Sequence, residues 1–165
     1  MIILGNIFSL LGSTCSFIST RAKTYKNTLI IQSLDATFFT LSCLCLGGYS
    51  GVVVNAVAIG RNLTCVFIDS KKWLRLTFAG LTIVLGLLFM DKAIYGLLPI
   101  LASAYYSIEM AITEDVNRLK RALLINNILW LMYELVILDF VGIGFKIASI
   151  ISIIQVARMT KYEDS

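Results

Sequence analysis

The chain has 165 residues, of which 58% are hydrophobic and only 15% charged, with a formal net charge of +4; soluble domains carry about a quarter charged residues. A globule this small cannot hide so much apolar surface from water, and a single proline with no low-complexity tract excludes fibrous and disordered classes. What remains is an integral membrane protein with room for about seven or eight spans of about 20 residues and for no separate soluble domain.

The charges cut the chain into apolar windows. Residues 1–20 are charge-free, and the first cations, Arg21, Lys23 and Lys26, follow the apolar run. That order is the reverse of a cleavable signal peptide, so the segment is expected to be the first span. The next window, 28–60, holds only Asp35 and is too long for one span. Gly47-Gly48-Tyr49-Ser50-Gly51 breaks it, which predicts helices at 28–46 and 50–68. Four further spans are expected at 73–90, 95–111, 119–138 and 140–159. The fold class is therefore all-α integral membrane with seven transmembrane helices.

Cationic loops resist translocation. With the N-terminus outside, twelve of the 14 basic residues fall on the inner side: Arg21, Lys23, Lys26, Arg61, Lys71, Lys72, Arg75, Arg118, Lys120, Arg121, Arg158 and Lys161. Lys92 alone is outer, and Lys146 lies within the seventh span. The expected topology is N-out and C-in, in a bacterial inner membrane. The positive residues form no stripe, so nucleic acid is not an expected partner. The lipid bilayer is. The Asn62-Leu63-Thr64 sequon falls on the inner side and is set aside, and Glu109, Glu114 and Asp115 read as a solvated charge mixture beside a basic loop.

Helices 1–3 and 5–7 share a plan: a basic inner loop, then a short outer turn. Gly5 lies over Gly96 and Gly51 over Gly142 at an offset of 91, while Leu29-Ile30-Ile31-Gln32 lies over Leu123-Leu124-Ile125-Asn126 at 94. This predicts a parallel 3+1+3 repeat of triple-helix bundles. Residues 1–70 form the first repeat, 71–92 a linker helix and 93–165 the second repeat, within one membrane domain. In parallel-repeat transporters the substrate site lies between the repeats near the midplane.

The run Leu46-Gly47-Gly48-Tyr49-Ser50-Gly51 with Asn55 and Arg61-Asn62 resembles the short-turn segment of the YgjV-type bacterial inner membrane proteins. Tyr95-Gly96-Leu97-Leu98-Pro99-Ile100 and Ile153-Ile154-Gln155-Val156-Ala157-Arg158-Met159 are similar to that family's fifth-helix entry and C-terminal end. More distantly, the layout resembles the SWEET and PQ-loop transporter group. The chain departs from that group's pattern in two ways, with Pro99 as its only proline and no proline-glutamine pair, and from the YgjV-type pattern in one, having no histidine late in the second helix.

Charged groups at bilayer depth cost about 2.5–3.5 kcal/mol on insertion scales, so each needs a reason. Asp35 lies roughly 12 Å along the second helix, close to mid-membrane. It has three open fates: to accept hydrogen bonds from Gln32 or nearby serines, to be carried as the neutral acid, or to face a polar cavity. Glu134 and Lys146 flank the turn at Asp139 and form a candidate ion pair. The SWEET resemblance implies a cavity lined by an asparagine on the third helix of each repeat and a nearby aromatic. Asn55 and Trp130 match, Lys146 replaces the second asparagine, and Ser149 and Ser152 offer hydroxyls. Asn126 and Asn127 are candidates too, against the plainer reading that they tie helices together.

No catalytic constellation or phosphate loop is present, and enzyme activity is not expected. With no histidine and no CxxC pair among Cys15, Cys43, Cys45 and Cys65, no metal or cofactor is expected either. Two functions stay open. One is a SWEET-like facilitator of a small polar solute by alternating access. The other is a non-transporting assembly or regulatory protein whose polar residues only fasten helices.

Overall fold

The computed structural model describes residues 1–19, 25–68, 72–91, 93–113 and 116–163. Among them the chain forms seven α-helices and no strand. These are α1 (Ile2–Ser19), α2 (Tyr25–Leu46), α3 (Tyr49–Phe67), α4 (Lys72–Leu88), α5 (Leu97–Ile112), α6 (Val116–Ile137) and α7 (Phe140–Glu163), with a 3₁₀ turn at Ile94–Gly96 leading into α5. Pro99 sits in the first turn of α5, where its missing N–H has no helical partner to lose. By length and composition α1, the Leu29–Leu46 part of α2 and α3 are sufficient to cross a membrane.

The radial distribution of side chains is inverted relative to a soluble bundle. Large apolar residues point outward on every helix, among them Ile7, Leu34, Leu63, Val84, Leu101, Leu135 and Ile151, while Ser9, Ser42, Thr82, Asn127 and Glu134 are buried. Water would drive such a surface to aggregate, whereas hydrocarbon tolerates it. Close packing then depends on small residues. On α1 the buried stripe Gly5, Ser9, Gly12 and Ser13 faces α2, and a β-carbon on Gly5 would stand 2.6 Å from Leu46 Cγ.

Each helix packs on its neighbours in the chain, α1 also meets α7, and α3 also meets α5. The result is a closed ring in chain order with α4 set on the α3–α5 seam. Packing of α4 on α5 rests on Gly86, whose hydrogen faces the buried Ile100; a β-carbon there would lie 2.7 Å from Ile100 Cγ1. Ile100 is β-branched and stiff. Gly86→Val should therefore destabilise by about 2 kcal/mol, whereas Gly80→Val, one turn and a half away with nothing within 4 Å, should change stability by less than about 0.5 kcal/mol. SDS-titrated unfolding in mixed micelles would read both; equal losses would show that α4 is not seated on Ile100.

The two short turns are built alike. After α2, Gly47 takes φ +80°, and after α6, Leu138 takes φ 62°. In each, the next N–H reaches back five residues, Gly48 to the Cys43 carbonyl at 2.9 Å and Asp139 to the Glu134 carbonyl at 3.0 Å. This is the left-handed helix stop with a 6→1 bond, filled once by glycine and once, against its steric preference, by leucine. α2 and α6 are both 22 residues long, and α2, its turn and the start of α3 all recur 91 positions later in α6, its turn and α7. The offset of 94 expected for the second helix is thus corrected: an offset of 91 aligns both ends of α2 with those of α6 and the start of α3 with that of α7. Both turns lie at one end of the ring, the turn end. Lys26, Arg61, Arg75 and Arg118 lie toward the other, the basic end.

Candidate functional site

Helical periodicity aims polar groups into the middle of the ring. On α2, Gln32, Asp35 and Phe39 recur at intervals of three and four; on α3, Asn55, Ala58 and Asn62 do so, and on α6, Asn126, Trp130 and Glu134 recur every four residues. They converge with Ser16 of α1, Arg75 of α4, Ser107 of α5 and Lys146 of α7 on one cavity of about 290 Å³. All seven helices line it. It runs from mid-depth toward the basic end.

At its deep end Lys146 is surrounded. Its Nζ lies 3.9 Å from Glu134 Oε1, 5.6 Å from the centre of the Phe39 ring and 5.7 Å from that of Trp130. Carboxylate and aromatic faces both favour the cation there. Three buried polar atoms on the cavity wall have no hydrogen-bond partner: Asp35 Oδ1, Asn55 Nδ2 and Glu134 Oε2. Buried polar groups are almost always satisfied, so these atoms mark where something polar and external fits. At the basic end Arg61 donates through Nη1 to Ser107 Oγ at 2.8 Å and through Nε to Asn62 Oδ1 at 3.3 Å.

The candidate site residues divide. Asp35, Asn55, Asn126, Trp130, Glu134 and Lys146 line the cavity. Asn127 does not; its Nδ2 donates to Ser149 Oγ at 2.9 Å and ties α6 to α7. Ser152 faces outward. The corrections to the charge reading are two. Arg61 and Arg75, counted with the inner-loop cations although the expected spans 50–68 and 73–90 contain them, line the cavity from α3 and α4. Glu109, expected as solvated, is buried and bound to Arg118, with Nε to Oε2 at 2.8 Å; Glu114 and Asp115 lie outside the described residues, as do Arg21, Lys23, Lys71 and Lys92. Phe39, Ser16 and Ser107 were not singled out from sequence. The signal that finds them is the offset of 91, which pairs Ser16 with Ser107, Asp35 with Asn126, Phe39 with Trp130 and Asn55 with Lys146. Every one of those eight residues lines the cavity.

The turn end is closed by a layer that sequence reading also missed. Tyr133, fully buried, packs edge-on against Trp130 at 5.9 Å and at a tilt of 43° against Tyr95 at 6.3 Å. Its hydroxyl accepts from the Gly51 N–H at 3.1 Å and donates to Asp91 Oδ2 at 3.0 Å. Asp91 also accepts from the Tyr49 N–H at 2.8 Å and the Ser50 N–H at 3.3 Å, and the Ser50 hydroxyl accepts from the Asp91 N–H at 2.9 Å. This reciprocal arrangement caps the start of α3 from a residue 41 positions away. The start of α7 is held similarly: Asn6 of α1 accepts from the Val141 N–H at 3.1 Å and donates to the Leu138 carbonyl at 3.2 Å. Asp139 accepts from the Gly142 N–H at 2.9 Å and from the Ser42 hydroxyl at 3.3 Å.

Among the described residues, no group of three or more Cys, Asp or Glu converges as a metal-binding set. The chain matches, over residues 3–163, the family model Imp-YgjV, described as bacterial inner membrane protein. No curated protein and no solved structure matches it.

Proposed function

The chain belongs to the Imp-YgjV family of bacterial inner membrane proteins, and from that premise we propose that it is a facilitator that carries a small polar solute by alternating access. The observation that carries this reading is the mid-depth cavity, whose walls are built from residue pairs 91 positions apart and whose Asp35, Asn55 and Glu134 atoms await a partner. A protein that used these side chains only to fasten helices would spend them on one another, as Asn127 and Ser149 do.

The proposed architecture is SWEET-like and PQ-loop-like, seven spans in a parallel 3+1+3 repeat. Residues 1–70 and 93–165 are the two triple-helix units, and 71–92 is the linker. The contact plan supports it: α1 on α2 is matched by α5 on α6, α2 on α3 by α6 on α7, and α3 on α5 by α7 on α1. The proposed orientation is N-out and C-in, because cationic segments stay inside; the basic end then faces the cytoplasm. In this conformation the cavity extends toward that end, and the Tyr133–Asp91 layer closes the other. Transport would require the two units to rock so that this layer parts.

Uptake into proteoliposomes, across a panel of sugars, amino acids and small anions, tests the proposal. At least one class should accumulate, and Asn55→Ala should slow it by tenfold or more, while the variant elutes and melts like the parent protein. No uptake of any class by folded protein would sink it.

A further inference from the structure

The paired positions around the cavity are not equivalent in charge, and the inequality has a sign pattern. Two amides facing each other across a two-fold would suit a neutral solute. Instead Asp35 stands at the position matched by Asn126, and Lys146 at the position matched by Asn55. Each pair keeps one amide and gains one charge, acid on α2 and base on α7. Charges at this depth pair with one another or face a polar cavity. Lys146 has one, Glu134, at 3.9 Å, which still leaves its ammonium donors to spare. Asp35 Oδ1 and Glu134 Oε2 are acceptors without donors, and Asn55 Nδ2 is a donor without an acceptor. Glu134 is 2% exposed, so bulk water does not serve it.

We infer that the cavity, taken on the transport reading above, binds a small zwitterion bearing an ammonium and a carboxylate on a short carbon skeleton. The ammonium belongs beside Asp35, where the free acceptor is. The carboxylate belongs beside Asn55 and Lys146, where the free donors are. The apolar remainder meets the faces of Phe39 and Trp130. Other classes fit less of this inventory. A simple anion meets Asp35 and Glu134 with nothing to offer them, and a simple amine adds a second cation beside Lys146 and must pass Arg61 and Arg75. A polyol supplies hydrogen bonds but brings no positive charge to Asp35. The volume of about 290 Å³ sits at the lower limit of ligand pockets, which suits a small solute.

Trp130 is in the wall and the other tryptophan, Trp73, is exposed at the basic end of α4. Trp73→Phe therefore makes intrinsic fluorescence a reporter of the cavity. The full chain in nanodiscs is titrated with L-alanine and L-leucine, with propionate and 4-methylpentanoate (no ammonium), with ethylamine and 3-methylbutylamine (no carboxylate), and with glycerol and glucose. Melting temperature is read alongside. A zwitterion should shift the Trp130 signal saturably and raise the melting temperature, at concentrations at least tenfold below those its single-charge analogues need. Asp35→Asn should erase most of that advantage over the ammonium-less acid. A polyol or a singly charged probe that binds as tightly as the zwitterions would overturn the zwitterion site while leaving the transport reading in place. Folded protein that binds none of the probes would overturn both.

Discussion

Lys146→Met should lower stability by about 3 kcal/mol, near the lower end of what removing one partner of a buried pair costs, because Lys146 is partly open to the cavity. Glu134 carries the loss: its side chain is 3% exposed, and Lys146 is the cation 3.9 Å from it. Part of the effect is the ammonium's contact with the Phe39 and Trp130 faces, which methionine replaces only with dispersion. The double variant Lys146→Met/Glu134→Leu should return to within about 1 kcal/mol of the parent, since a buried pair exchanged whole for apolar groups is often neutral. SDS-titrated unfolding of the parent, both single variants and the double variant closes the cycle. A double variant as unstable as the sum of the singles would mean that the two residues do not act on each other.

Asp91→Ala should cost a similar amount, about 3 kcal/mol, by a different route. It strips the acceptor from two N–H groups at the start of α3, worth up to about 2 kcal/mol for a cap. It also leaves the buried Tyr133 hydroxyl with nothing to donate to, a further 1–3 kcal/mol or so. Asp91→Asn keeps an acceptor in place and should lose only about 1 kcal/mol. If this layer is the closure of the turn end, Asp91→Ala should also expose Cys43, which is buried and packed against Gly51. In a background where Cys43 is the sole cysteine, maleimide labelling should be slow in the parent and at least tenfold faster in the variant. Unchanged labelling beside a normal stability loss would make Asp91 a cap and not a gate residue.

Asp91 shows why part of the site could not be read in advance. On the chain it is a lone acid after an apolar helix, next to Lys92, and reads as a loop charge. Its function as a cap is defined by Tyr49 and Ser50, more than 40 positions back, and such a pairing leaves no local pattern. Arg61 and Arg75 were misread for a related reason. A charge count gathers these cations toward one end of the ring but says nothing of whether a side chain points to lipid, loop or interior. Asn127 and Ser152 show the opposite case: their polarity marked them as candidates, and helix rotation placed Asn127 on a helix–helix seam, as the plainer reading of it has it, and Ser152 outside. Asp35, Asn55 and Lys146 were legible because an amide or charge inside an apolar window is costly wherever the window folds.

From composition and the spacing of charges alone came the number of helices, their approximate ends and the turn at Gly47. These depend on local quantities, the length that spans a hydrocarbon layer and the residues that stop a helix, which each segment settles for itself. The rotation of each helix about its axis, the closure of the ring by α1 on α7, and the pairing of Phe39 with Trp130 across one cavity came only from the tertiary structure. In a membrane every helix is apolar nearly all round, so hydrophobic periodicity no longer says which face turns inward. That choice is made by small residues that allow close approach, such as Gly5 and Gly86, and by polar groups that must find partners. Both are properties of pairs of helices, and they exist only once the helices meet.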